Sequence, residues 1–157
     1  MQPLNEKQAQ SVWSRVMQTH PATEQTAEGL PEQLKAFQAA EDAAAATLKL
    51  LACRVGRNAA LRLHPMAQQA RCRANRWRTL YFLLTGQKMQ PEKCRCEAEG
   101  NRCSLLRSCC EAAQLAEKNY TRAADRYPDY APLFLQAAQE AACQTRSLFL
   151  ILQQYIR

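Results

Sequence analysis

Histidine and glycine are nearly missing from this chain, with two His and four Gly among 157 residues. So few glycines leave no Gly-rich loop to cradle a phosphate. His20 falls in a linker and His64 directly before a proline, so neither stands on an apolar helical stripe as a ligand or general base, and no cysteine–histidine nucleophile pair is indicated. Long apolar runs are missing too. No stretch of about 18 uncharged apolar residues occurs and no charged-then-apolar leader opens the chain, so we expect neither a membrane span nor secretion, and a cytoplasmic location. In that reducing compartment the eight cysteines read as thiols or metal ligands rather than as a disulfide framework.

What the chain has is Ala, Leu, Gln, Arg and Glu, the good helix formers, in a length that suits one domain with a sizeable core. The fold class expected is all-α. The net charge of +7 is uneven: between Arg54 and Arg107, Lys and Arg far outnumber Glu92, Glu97 and Glu99. Such a basic patch attracts polyanions in principle, but no nucleic-acid module or aromatic stacking platform accompanies it. We read it as a solvated Arg-rich helix face and expect a protein partner or a homo-oligomer, with no nucleic acid and no membrane.

Taken in order, residues 4–17 predict a short amphipathic helix with Val12, Trp13 and Val16 on one face, and a Pro- and Thr-containing linker completes an N-terminal region over residues 1–30. Residues 31–157 form the main body. Its first long helix opens near Pro31, since proline suits a first turn, and closes near Gly56. The next runs from about Pro65 to Leu84, stopped by Thr85 and Gly86. A cysteine-rich connection follows, then a helix from about Leu105 to Arg126, a turn with two prolines, and a last helix from Ala131 or Pro132 almost to Arg157.

The first long helix sets the phase. Leu34, Phe37, Glu41, Ala44, Leu48, Leu51 and Val55 recur every three or four residues, an apolar stripe with one carboxylate in its middle. Burying an ionised carboxylate is costly unless a metal, a cation or several donors meet it. An internal repeat supplies the context: AQQARC at 67–72 recurs as AQEAAC at 138–143, and each opens a helix ending in an aromatic-aliphatic block, LYFLL or LFLIL. Two helical hairpins joined by a long crossover make a ferritin-like four-helix bundle, whose hairpins each donate a Glu and a Glu-x-x-His to a di-metal centre. In the core phases those columns hold Glu41, Ala70, Arg73, Ala113, Ala141 and Gln144. Of these, only Glu41 has a side chain that could bind iron. A guanidinium has no lone pair and keeps its charge, so we expect Arg73 to take the place of the metal and pair with Glu41, with Gln144 and Tyr120 beside them.

VWSRV near the N-terminus, the helix-ending LYFLLTG, the cysteine-containing connection after it and the two hairpins together resemble a bacterial group of ferritin-like proteins related to rubrerythrin. The resemblance covers most of the chain. It implies a four-helix bundle with a carboxylate-bridged di-iron or di-manganese centre for peroxide reduction, oxidation or iron handling. Carried over by position, only Glu41 keeps its ligand. The expectation is therefore a ferritin-like protein with a degenerate di-iron site and no cofactor, structural or interacting rather than catalytic.

An alternative of another class shifts the phase by one residue. Gln69 with Cys72 and Glu140 with Cys143 then replace the two Glu-x-x-His pairs, and Glu111 or Glu117 joins Glu41, giving a carboxylate and thiolate cage for iron, manganese or zinc in a metal-binding protein or metal-dependent oxidoreductase. A further candidate is the cluster Cys94, Cys96, Cys103, Cys109 and Cys110, four of which suffice for a tetrahedral zinc site, although the spacing C-x-C replaces the usual C-x-x-C knuckle. Without metal, Cys109 faces the core and the others are surface thiols or form an opportunistic disulfide. Cys72 and Cys143 read most simply as buried helix residues, and Cys94, Cys96 and Cys103 are expected to react with thiol reagents before Cys53, Cys72 and Cys143.

Overall fold

A computed structural model describes residues 28–90 and 99–156, and among them every regular element is helical. The N-terminal helix expected over residues 4–17, and Cys94 and Cys96, lie outside the described residues. Among the described residues there are four long helices: α1 (Leu30–Ala52), α2 (Arg57–Thr85), α3 (Arg102–Arg126) and α4 (Ala131–Ile156), with a short 3-10 turn, Pro128–Tyr130, before α4.

Local chemistry sets the helix ends. Gly29, in the left-handed region at φ 82°, precedes α1, and Pro31 and Glu32 occupy its first turn, where a missing N–H costs nothing and a carboxylate favours the positive end of the helix dipole. The α1–α2 connection is tight. Cys53 and Arg54 fold back onto the carbonyls of Leu50 and Leu51, and the Gly56 N–H donates to the Tyr155 hydroxyl at 3.1 Å. Gly86 closes α2 in the left-handed conformation, its N–H donating to the Phe82 carbonyl. The Asn101 side chain caps α3 by accepting from the Ser104 N–H at 2.9 Å.

One boundary differs from expectation. Helix α2 opens at Arg57 and carries Pro65 in its interior, whereas proline was expected to mark its first turn. An interior proline costs a helix about 3 kcal/mol. Here it sits on the exposed face, while Ala59, Leu63, Met66 and Ala67 dock the flanking turns into the core, and their burial outweighs the lost hydrogen bond.

Two clusters fill the interior, and each draws on all four helices. Leu48 and Leu51 of α1, Leu63 and Met66 of α2, Leu106 of α3 and Leu148 and Ile151 of α4 form the first. The second is aromatic: Phe37, Trp77, Tyr120, Tyr127 and Phe134, with Trp77 stacked on Phe134 at 5.3 Å between ring centroids. Because the first cluster joins the C-terminal parts of α1 and α4 to the N-terminal parts of α2 and α3, α1 runs antiparallel to both α2 and α3, and α4 to both α3 and α2. The chain between Thr85 and Arg102 therefore joins opposite ends of the helical body. Contacts are extensive along α1 with α2 and along α3 with α4, and sparser between these two pairs.

A buried ion-pair network beneath an alanine-lined cavity

The phases read from sequence place Glu41, Arg73, Tyr120 and Gln144 in one spot midway along the body, one from each helix, with 3%, 2%, 1% and 5% of their surface exposed. Arg73 is its centre. Its Nε donates to Glu41 Oε1 at 2.8 Å and its Nη2 to Gln144 Oε1 at 2.8 Å, while Nη1 lies 3.7 Å from Glu140 Oε2 and makes no hydrogen bond. The Tyr120 hydroxyl donates to Glu41 Oε1 and accepts from the Trp77 indole at 3.2 Å. The repeat explains one of these contacts. Arg73 and Gln144 hold equivalent positions in the two repeats, and the structure brings them together.

Electrostatics follows from the geometry. Burial works against the charge of Arg73, but the hydrogen bond and attraction of Glu41, helped by Tyr120 and Glu140, hold its pKa above the usual arginine value. Burial pushes the Tyr120 phenol far up, and the charge of Glu41 and the hydrogen bond to it push the same way. Tyr120 is therefore a neutral donor. A second cluster lies alongside on α1 and α2: Asp42 accepts from Gln38 and from Arg78, which also donates to Asn75 at 2.6 Å. Arg76 reaches across to Glu140 at 3.1 Å.

Above the network opens a cavity of about 310 Å³ between α1 and α3. Ala40, Ala43, Ala44, Ala112, Ala113 and Ala116 make its walls with Phe37, Leu48 and Leu115, and Glu41, Arg73, Tyr120 and Gln144 are among its lining groups. Small side chains on facing helices leave this space.

The remaining candidates are dispersed. Ala70, Ala113 and Ala141 are buried around the network as the phases predict, but offer no donor atom. The shifted-phase cage is not assembled: Gln69, Cys72, Glu111 and Cys143 are exposed, Glu117 is half-buried, and Glu140 is engaged with Arg73 and Arg76. The expectation of buried Cys72 and Cys143 is thus corrected, because the phase that buries Ala70, Arg73, Ala141 and Gln144 turns the adjacent residues outward. Of the cysteine cluster, Cys103 is half-buried with its Sγ 3.8 Å from the Tyr155 carbonyl, and Cys109 and Cys110 are buried on α3, so Cys110 is not the surface thiol expected: both adjacent residues fall within the packed face of α3. Among the described residues no group of three or more His, Cys, Asp and Glu converges as a metal-binding set. The residues around Glu41 do not fit a di-metal centre either, since a single carboxylate faces a permanent cation and three methyl groups.

Sequence reasoning missed three features. The cavity depends on how far apart two alanine-rich faces stand, which no spacing rule encodes. The Asp42, Arg78 and Gln38 cluster was legible only in part, through the i, i+4 spacing of Gln38 and Asp42. The pairing of Glu140 with Arg73 and Arg76 has no local signal, since these residues stand on helices far apart in the chain. Compared with protein-family models, curated proteins and solved structures, the chain finds no significant match.

Proposed function

We propose that this chain is a ferritin-like four-helix bundle in which a guanidinium stands where relatives of rubrerythrin hold metal, and that it serves as a structural or interaction protein rather than an enzyme. The observation that carries the reading is the Arg73 to Glu41 pair, 2.8 Å long and buried at the level of the former ligand columns. A cation fixed there repels a divalent ion and takes the one carboxylate that would bind it. The helix arrangement, with a connection joining opposite ends between α2 and α3, supports the ferritin-like half of the proposal. Exposed Leu61, Phe82, Leu83, Phe149 and Leu150 support the interaction half, since large apolar side chains in water are available to a partner. Metal analysis of protein purified under reducing conditions tests it. We expect substoichiometric iron, manganese and zinc; about two transition-metal ions per chain would overturn the proposal in favour of a metal-binding or oxidoreductase protein.

A further inference from the structure

The alanine-lined cavity has a feature that the ion pair does not use. Glu41 Oε1 takes both protein donors, from Arg73 and Tyr120, whereas Oε2 receives none among the described residues, although Glu41 is 3% exposed and lines the cavity. That oxygen is not sealed from solvent, unlike Arg73 Nη1, and a carboxylate oxygen with open lone pairs at a cavity wall accepts a donor. The volume fits a small molecule: a cavity of about 150 Å³ holds benzene, so about 310 Å³ holds roughly twelve non-hydrogen atoms. Apolar walls with a few convergent polar groups are the usual make-up of ligand sites.

We propose that this cavity is a binding site for a neutral, compact, mostly apolar molecule carrying one hydroxyl or N–H donor, the donor reaching Glu41 Oε2 and the apolar body lying between the alanine faces of α1 and α3. Charge selects neutrality. Arg73 already balances Glu41, so a ligand cation meets the guanidinium and a ligand anion meets the carboxylate. The methyl walls of Ala44 and Ala116 offer dispersion and no hydrogen bond, which suits a ring system.

The test uses 2-naphthol against naphthalene and 2-naphthoate, followed by methyl-detected NMR titration of the full chain. Saturable one-to-one binding of 2-naphthol is expected, with intermolecular contacts to the Ala44 and Ala116 methyls. Naphthalene should bind roughly ten- to a hundredfold more weakly for want of the donor, and 2-naphthoate should also be weaker. Ala44→Leu, with folding checked by circular dichroism, should reduce 2-naphthol affinity at least tenfold by filling the cavity. Should that variant not fold, the methyl contacts in the unaltered chain decide. Equal affinity for naphthol and naphthalene, contacts elsewhere on the molecule, or no saturation up to the solubility limit would each overturn the proposal.

Discussion

Arg73 shows how one residue can hold four helices in register while adding little net stability. Taking a guanidinium and a carboxylate out of water costs several kcal/mol each, and their attraction, with the hydrogen bonds from Tyr120 to Glu41 and from Arg73 to Gln144, offsets much of this. Arg73→Ala strands Glu41 and should destabilise by about 3–5 kcal/mol, whereas Arg73→Met combined with Glu41→Leu should recover most of the loss, both read by urea denaturation. Tyr120 adds a pH dependence of known sign. Its phenol is held well above the ordinary value of 10.0 by burial and by Glu41, so below pH 10 it is protonated in both folded and unfolded chains. Above that pH the unfolded chain releases the proton and the folded one keeps it, so stability falls as pH rises, by up to about 1.4 kcal/mol per pH unit. Denaturation between pH 9 and 11 should show a steeper fall for the unaltered protein than for Tyr120→Phe; parallel slopes would mean that Tyr120 ionises normally.

At the scale of the helix, each element exposes the face next to the one that packs. On α2 and α4 that turns Cys72 and Cys143 outward, and Arg146 donates to the Cys143 sulfur at 3.4 Å on the surface. On α3, Cys109 and Cys110 point inward, and burial with the nearby Glu111 carboxylate pushes the Cys110 thiol up in pKa, disfavouring the reactive thiolate. A thiol reagent should therefore modify Cys53, Cys72 and Cys143 well before Cys109 and Cys110, with Cys103 between them, which reverses the order expected from sequence for Cys103 because that thiol is half-buried while the other three are exposed; mass spectrometry of partly labelled protein would show it. Labelling of Cys109 and Cys110 at the rate of Cys72 would mean that α3 is turned differently on the body.

For the whole molecule, the decisive point is that both core clusters are built from all four helices. Neither helix pair can keep its share of either cluster alone, so unfolding should be a single transition. Leu48→Ala at one end and Phe134→Ala at the other should each lower the stability of that one transition, by about 2–5 and 3–5 kcal/mol respectively. Circular dichroism and Trp fluorescence should remain coincident in both variants. A second transition in either would show that the pairs separate.

Helical periodicity was enough to tell which residues turn inward. Glu41, Arg73, Tyr120 and Gln144 each fall on an apolar stripe of spacing three and four, and a charge on such a stripe demands a partner, which is why their meeting was legible in advance. The α2 start was not legible. A proline signal is local, while the burial of Ala59 and Leu63 that overrides it depends on a helix distant in the chain. Nor were the cavity and the open oxygen of Glu41, because spacing gives the direction of a side chain but not the distance between two packed faces. That distance is decided by side-chain volumes on several helices at once, and only the tertiary structure sums them.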